Sequence, residues 1–131
     1  MGLNKKKITE ILCTFPFPQD SYWVLMGAAM VLHGIKSETN DIDLGCTDAL
    51  FAHIQHTGYP VTINRMGKEK ILFSDNITIY RAWKCEGVDF IDGIPVCDLN
   101  TIIKNKQELA REKDLVDLQL IALHQGGNGM G

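Results

Sequence analysis

The sequence lacks an apolar run long enough to cross a bilayer, and it lacks a signal peptide. A membrane-spanning helix needs about 20 consecutive apolar residues, and no run of this length occurs. The basic start MGLNKKK is followed by Thr9 and Glu10, which interrupt what would be the apolar region of a signal peptide. We therefore expect a cytoplasmic protein without a membrane segment.

The sequence also has no excess of basic charge and no closely spaced cysteine pair. The formal net charge is −3, so the basic footprint of a protein that binds extended nucleic acid is missing. A small nucleotide would need only a local site. The four cysteines, at positions 13, 46, 85 and 97, include no C-x-x-C pair. Neither a zinc site nor a disulfide framework is expected, and reduced, partly buried thiols are the simplest interpretation.

The length of 131 residues and the 45% hydrophobic content fit one globular domain. Hydrophobic periodicity and turn residues predict an alternation of helices and strands, followed by several strands and two helices. The predicted helices span 5–13, 28–33, 47–57, 98–106 and 110–124, and the predicted strands span 22–26, 41–46, 61–64, 70–73, 77–82, 88–91 and 94–97. This order predicts an α+β fold, with one domain over residues 1–124 and a flexible tail over residues 125–131.

The most informative segment contains Asp41-Ile42-Asp43, on a predicted strand. Two carboxylates one residue apart on a strand point to the same face, because side chains alternate with period two. Ile42 and Leu44 alternate with them and predict a buried opposite face. Like charges held this close repel each other unless a cation lies between them. A hard divalent ion such as Mg²⁺, held by one or two carboxylates and substrate phosphates, fits this pattern.

A glycine precedes the acidic pair at the junction of a predicted strand and a predicted helix. Gly27 has no side chain, so a phosphate can approach the backbone there. With Ala28 it lies at the predicted start of the helix, where free amide groups favour an anion. The segment therefore suggests metal-assisted chemistry on a nucleotide, although a D-x-D triplet alone also occurs on solvent-facing edge strands.

With these residues the sequence resembles the nucleotidyltransferase superfamily, which has the fold of DNA polymerase beta. The resemblance is carried by Gly27-Ala28 after a strand, by Leu32-His33-Gly34-Ile35, and by Thr39-Asn40-Asp41-Ile42-Asp43-Leu44. A later segment is also similar, with Asp92-Gly93-Ile94-Pro95-Val96, Leu99, Lys106, Arg111-Glu112-Lys113-Asp114 and Asp117. Small bacterial members of the abortive-infection and toxin–antitoxin type are the most similar, and the resemblance covers residues 20–124.

This resemblance implies a central mixed sheet flanked by helices and a two-metal mechanism. Asp41 and Asp43 would hold two Mg²⁺ ions, helped by a third carboxylate on a neighbouring strand. The substrate would be a nucleoside triphosphate, with ATP as one candidate. Its nucleoside monophosphate would pass to a hydroxyl of a protein, a small molecule or an RNA, and pyrophosphate would leave. The triphosphate would lie near Gly27, Ala28 and Lys113.

The third carboxylate is not evident from the sequence. Thr78 stands at the inward polar position of the strand that should carry it, and Asp75 and Asp89 are the two acidic candidates. The alternative is a non-catalytic binding or regulatory protein of this fold, in the setting of a toxin–antitoxin pair, and the uncertain third carboxylate is its main support. Because the sequence is short and shows no evident second domain, a partner protein or a second copy of the chain could complete the site.

Further candidates lie outside the acidic segment. Lys106, Arg111 and Lys113 fit either phosphate binding or a solvated helix face with ion pairs such as Arg111 to Asp114. Asp114 and Asp117 share one predicted helix face, which we interpret as exposed rather than metal-binding. Trp83 is a candidate to stack on a base at the edge of the site. A D-x-D phosphatase or glycosyltransferase remains a weaker alternative.

Overall fold

The structure is a computed structural model that describes residues 2–81, 83 and 85–129, with the backbone alone for residues 126–129. Within these residues it contains five helices and seven strands. The helices are α1 (Lys5–Cys13), α2 (Met26–Leu32), α3 (Asp48–His56), α4 (Leu99–Leu109) and α5 (Glu112–Gly129). The strands are β1 (Tyr22–Leu25), β2 (Ile42–Cys46), β3 (Thr62–Ile63), β4 (Glu69–Leu72), β5 (Ile77–Arg81), β6 (Val88–Ile91) and β7 (Ile94–Cys97).

The strands form one mixed sheet in the order β3-β4-β5-β2-β1-β7-β6. The pairs β2–β5 and β1–β7 are parallel, whereas β1–β2, β3–β4, β4–β5 and β6–β7 are antiparallel. Helices lie before, between and after the strands in sequence. The predicted α+β class with a mixed sheet is therefore confirmed.

The buried core follows the alternation of the central strands. Ile42 and Leu44 of β2 and Ile79 of β5 have no exposed surface, as expected for residues two apart on one face of a sheet. Helix α2 packs against β1, β2 and β7 and also contacts α4, which in turn contacts α5. This packing places the α4–α5 pair beside the sheet. No helix in the described ranges combines the length and the apolar character that crossing a bilayer requires.

Local geometry defines the ends of several elements. The Thr47 side chain accepts a hydrogen bond from Leu50 N, and the Asp98 side chain accepts one from Thr101 N, so both residues cap helices. Asp92 and Gly93 have positive φ angles of 52° and 79°, as a two-residue turn between β6 and β7 requires.

Several predicted boundaries differ from the structure, and three of them bear on the site or on the tail. Helix α2 begins at Met26 rather than at residue 28, and β2 begins at Ile42, so Asp41 lies just before the strand. Helix α5 continues through Gly129, whereas the sequence predicts a helix end at His124 and a flexible tail. Composition favours a tail there because glycine is a poor helix former, but extending an existing helix adds one hydrogen bond per residue without a new nucleus. Residues 130 and 131 lie outside the described residues.

Candidate functional site

A cleft of about 1000 Å³ lies where the sheet meets the α4–α5 pair. Its wall on the sheet side comes from the β1–α2 junction, the start of β2, the β3–β4 hairpin and β5. The opposite wall comes from the end of α4 and the start of α5. The volume is in the range of small-molecule and cofactor sites. Gly27, Asp41, Asp43 and Lys113, which the sequence singles out, all line this cleft.

Asp43 is the central acidic residue of the cleft. It lies on β2, half-buried, opposite Leu25 of β1 and opposite Thr78 of β5. Burial and the negative charge of Asp41 raise the pKa of Asp43 to about 6, although Lys113, Arg111 and Lys70 act in the opposite direction. Burial and repulsion from the exposed Asp41 therefore both disfavour the ionised form of Asp43. A bound cation would remove this repulsion.

The donor atoms at this point are oxygens. Asp41 and Asp43 offer carboxylates, and the Thr78 side chain lines the same cleft. Oxygen donors suit a hard divalent ion such as Mg²⁺, which retains several waters and binds through one or two carboxylates together with substrate phosphates. The acidic pair therefore fits the metal that the sequence predicts.

The structure does not bring the two candidates for a third carboxylate into the cleft. Asp89 lies exposed on β6, and β7 and β1 separate this strand from β2. Asp75 is exposed in the turn between β4 and β5 and is not among the lining residues. The position next to Asp43 on β5 belongs to Thr78, because the parallel register pairs these two residues. Among the described residues, no third Asp or Glu joins the pair in a metal-binding cluster.

The β1–α2 junction is strained and tightly packed at the edge of the cleft. Met26 has a φ of 55°, which is rare for residues with a side chain, and such outliers concentrate at functional sites. A Cβ atom on Gly27 would lie 2.6 Å from Thr39 Oγ1. Packing against Thr39 therefore leaves no room for a side chain at position 27. Gly27 lines the cleft, whereas Ala28 is buried and does not. The structure therefore brings only the first of these two residues to the site.

The wall opposite the acidic pair carries a cluster of charged residues from α4, α5 and the loop after α2. Lys106 Nζ lies 2.8 Å from Asp117 Oδ2 and 3.4 Å from Asp114 Oδ1. Lys36 Nζ lies 3.3 Å from Asp117 Oδ1. Arg111 Nε donates to Asp114 Oδ2 at 2.6 Å, and Nη2 donates to Oδ1 at 3.0 Å. We call Lys36, Lys106, Arg111 and Lys113 the basic wall.

The sequence interpretation of Asp114 and Asp117 as an exposed acidic face is wrong. Asp114 is fully buried and Asp117 nearly so, because α5 packs this face against α4. Burial acts to raise the pKa of Asp114, but hydrogen bonds from Arg111 and the charge of Lys106 hold it below its usual value. The predicted Arg111–Asp114 pair is confirmed. These acids orient the basic wall, and Lys113 remains exposed at the cleft.

Three of the lining residues were missed or only partly identified from the sequence. Tyr80 lies two residues after Thr78 on β5, so period two places both on the cleft face. Burial and the charges of Asp43 and Asp41 raise the pKa of Tyr80 to about 12. Trp83, which the sequence suggests as a stacking residue, contacts Tyr80 edge to face with ring centroids 5.0 Å apart. Lys70 of β4 pairs with Tyr80 and also lines the cleft.

The balance of basic and acidic residues in the cleft differs from that of the whole chain. Its lining contains six basic residues and four acidic ones, whereas the whole chain has a net charge of −3. On the sheet side the acidic pair lies with Arg65 and Lys70, and on the helix side Glu108 and Asp117 lie with Lys106, Arg111 and Lys113. The excess of basic residues suits an anionic ligand, and the acidic pair suits a divalent cation carried with it.

The fold resembles that of a solved protein. JHP933 from Helicobacter pylori superposes with a TM-score of 0.52 at 19% sequence identity, over 81% of this chain and 60% of that chain. A second H. pylori protein, named as a proposed nucleotidyltransferase, gives a TM-score of 0.41 at 17% identity over 67% of this chain and 50% of that one. The first likeness concerns the fold alone, and the second is too slight to carry an argument. The chain thus spans 60% or less of both proteins. No family model and no curated protein matches the sequence.

Proposed function

We propose that this protein is a nucleotidyltransferase that binds a Mg²⁺-loaded nucleoside triphosphate and transfers its nucleoside monophosphate to a hydroxyl group. The observation that carries the proposal is one cleft that gathers a pair of carboxylates and an excess of basic side chains. Asp41 and Asp43 supply oxygen donors, and the basic wall supplies positive charge. A metal-bound triphosphate has the matching charges. The motif resemblance to nucleotidyltransferases points to the same chemistry.

Each group has a definite role in this proposal. Asp41 and Asp43 hold the Mg²⁺, and Lys113 and Arg111 bind the phosphates that become the pyrophosphate leaving group. Bound Mg²⁺ neutralises phosphate charge and stabilises the attacking and leaving oxygens of an in-line displacement. Asp114 holds Arg111 in a bidentate pair, which fixes the orientation of its guanidinium group. Positioning and charge neutralisation supply most of the rate enhancement in such reactions.

The aromatic side of the cleft provides a place for the base. Tyr80 is half-buried on the cleft face of β5, whereas Trp83 packs edge to face against it and is itself buried. We propose that the base stacks on Tyr80, since any base can stack on an aromatic face. Stacking does not discriminate strongly between bases. We therefore propose that all four nucleoside triphosphates bind, with modest preferences among them.

Thr78 supports a second candidate function. A neutral hydroxyl occupies the β5 position next to Asp43, where the family resemblance implies a carboxylate. If transfer needs a third carboxylate, the protein binds a metal nucleotide without transferring it. It would then act as a nucleotide-binding regulatory partner, as in a toxin–antitoxin pair, or a partner chain would complete its site.

The acceptor hydroxyl of the leading proposal belongs to a protein, a small molecule or an RNA end. The acidic balance of the whole chain disfavours binding of extended nucleic acid. An RNA acceptor would therefore be recognised by its end rather than along its length. We place this activity in the cytoplasm, where nucleoside triphosphates and Mg²⁺ are available.

The test incubates the protein with each of the four α-labelled nucleoside triphosphates, Mg²⁺ and a cell extract as a mixed source of acceptors. Label should appear in one acceptor class, which nuclease, protease and size fractionation identify. Calorimetry measures binding of the Mg²⁺–nucleotide separately. Asp43→Asn should abolish both signals, whereas Asp75→Asn, which removes an acid outside the cleft, should change neither.

The possible results separate the two candidates. Binding with transfer supports the leading proposal. Binding without transfer, in every extract tried, supports the regulatory alternative. The absence of metal-dependent nucleotide binding would contradict both.

A further inference from the structure

The structure brings together two cysteines that are twelve positions apart in the sequence and outside the cleft lining. Cys85 Sγ lies 2.7 Å from Cys97 Sγ, far closer than two unbonded sulfur atoms normally pack. Cys97 is the last residue of β7 and is fully buried, whereas Cys85 lies half-buried in the segment before β6. Neither thiol takes part in the nucleotide site described above.

The backbone around the pair holds the two sulfurs in place. Asp98 N donates to Gly87 O at 2.9 Å, and Glu86 N donates to Thr101 Oγ1 at 3.0 Å. Lys104 also forms an ion pair with Glu86. These contacts fasten the segment of Cys85 onto the first turns of α4, directly after Cys97. These contacts of the neighbouring residues therefore hold the two thiols close together, whether or not the sulfur atoms attract each other.

Gly87 packs closely against the side chain of Asp98. A Cβ atom there would lie 3.0 Å from Asp98 Oδ2, so a larger residue would require a small shift of this carboxylate, whose Oδ1 caps α4.

From this geometry we infer that Cys85 and Cys97 form a reversible disulfide, with a low-molecular-weight disulfide such as glutathione disulfide as the oxidant. The more accessible Cys85 attacks as its thiolate on one sulfur of the oxidant, and the first small thiol leaves with a proton. Cys97 then loses its proton and attacks the Cys85 sulfur, and the second small thiol leaves. Two protein thiols are oxidised by two electrons, and one small disulfide is reduced to two thiols.

The same cluster fits a metal less well. Cys85, Cys97 and Asp98 are the three donors that meet there within the described residues, and Asp98 Oδ1 already accepts the amide of Thr101. Two thiolates that share a zinc ion stand about 3.8 Å apart when each Zn–S bond is about 2.3 Å in tetrahedral geometry. The observed separation is much shorter.

The disulfide would affect the rim of the cleft. Trp83 lines the cleft two residues before Cys85, and its carbonyl accepts a hydrogen bond from Trp23 Nε1 at 2.9 Å. Oxidation would add a covalent link just beyond this point. The inference itself concerns the thiols and does not depend on the proposed nucleotide chemistry.

The experiment equilibrates the full chain in glutathione buffers of increasing oxidised fraction, quenches with acid and alkylates the remaining thiols. Alkylation of Cys85 and Cys97 should fall together by about tenfold in the oxidised buffers. Proteolysis on the N-terminal side of Asp89 and Asp92 separates the two cysteines onto different peptides. Mass spectrometry should find these peptides joined, and a reductant should release them.

Variants distinguish the disulfide from other outcomes. In Cys97→Ser the mixed disulfide between Cys85 and glutathione should accumulate, because the resolving thiol is missing. Cys85→Ser changes the half-buried position and should leave Cys97 free of glutathione, while Cys13→Ser should leave the joined peptides unchanged. Separate peptides, or a lasting glutathione adduct on Cys85 in the wild type, would overturn the inference. A thiolate-to-metal absorption band on addition of Co²⁺, lost in Cys85→Ser, would instead establish a metal site and also overturn it.

Discussion

At the scale of single residues, the ionised carboxylate of Asp43 lowers the stability of the folded protein. Its carboxylate is largely buried on β2 beside Asp41, and its pKa is about 6 rather than the usual value near 4. The folded protein must keep this group ionised at neutral pH at a cost in free energy. Such a cost is typical of sites where a ligand supplies the missing charge.

The substitution Asp43→Asn should therefore stabilise the metal-free protein at pH 7.5. The raised pKa means that the folded state holds its proton more tightly than the unfolded chain does, so wild-type stability falls as pH rises from about 4 to about 6. Above this window the variant should be more stable by about 1–3 kcal/mol. Urea unfolding at several pH values measures the difference, which should vanish below about pH 4. An equal gain in Asp89→Asn, which alters an exposed acid outside the cleft, would refute the explanation.

The same pKa predicts how the affinity for Mg²⁺ depends on pH. Metal binding needs ionised carboxylates. Below pH 6 the apparent affinity should therefore fall by up to about tenfold per pH unit, and above about pH 7 it should level off. Calorimetric titration of Mg²⁺ in the presence of nucleotide provides the measurement. A profile without a bend near pH 6 would exclude Asp43 as a ligand.

At the scale of elements, the sequence predicted what is local and missed what depends on packing between elements. The period of two in Asp41-Ile42-Asp43-Leu44 is a property of one strand, so the orientation of the acids could be predicted. The pairing of Asp43 with Thr78 is a matter of register between β2 and β5, which lie far apart in the chain. The burial of Asp114 and Asp117 depends on which face of α5 meets α4, and a pattern of charges at helical spacing fits either face.

The α4–α5 pair should depend strongly on the buried Lys106. Its ammonium group lies between Asp114 and Asp117, which are both buried. Lys106→Met would leave these buried carboxylates with fewer partners. We therefore expect the free energy of unfolding to fall by about 3 kcal/mol. Lys104→Met, two residues earlier on the exposed face of α4, should cost far less. Urea unfolding followed by circular dichroism compares the two variants, and equal losses would contradict a structural role for the buried cluster.

The β1–α2 junction yields a test of the close contact between Gly27 and Thr39. In the wild-type background Gly27→Ala should lower the free energy of unfolding by about 1–3 kcal/mol, because the new Cβ would overlap Thr39 Oγ1. In a Thr39→Ala background the nearest atom would be the Cβ of residue 39, at an ordinary contact distance of 3.5 Å. There the same change should be neutral or stabilising, since alanine is the better helix former. A double-mutant cycle from thermal unfolding reports the coupling, and additive effects would contradict the steric account.

At the scale of the whole molecule, the cleft joins two parts of the fold that are far apart in sequence. The acidic pair belongs to the centre of the sheet, and the basic wall belongs mainly to the last two helices. The site therefore forms only when these distant segments of the chain pack together. Neither part alone has the charge pattern of a metal-nucleotide site, because the acids would repel each other and the cations would lack a partner metal.

A ligand that contacts both parts should stabilise the whole fold in thermal unfolding. At a hundredfold excess over the dissociation constant, Mg²⁺ and nucleotide together should add about 2.7 kcal/mol, or roughly 10 °C in Tm for a chain of this size. Mg²⁺ or nucleotide alone should give much smaller shifts. Mg²⁺ alone brings no phosphates to the basic wall, and nucleotide alone brings no cation to the acidic pair. Asp41→Asn and Lys113→Gln should each reduce the combined shift, one from the sheet side and one from the helix side, whereas Asp89→Asn should not. If Lys113→Gln retained the full shift, Lys113 would have no part in binding the nucleotide.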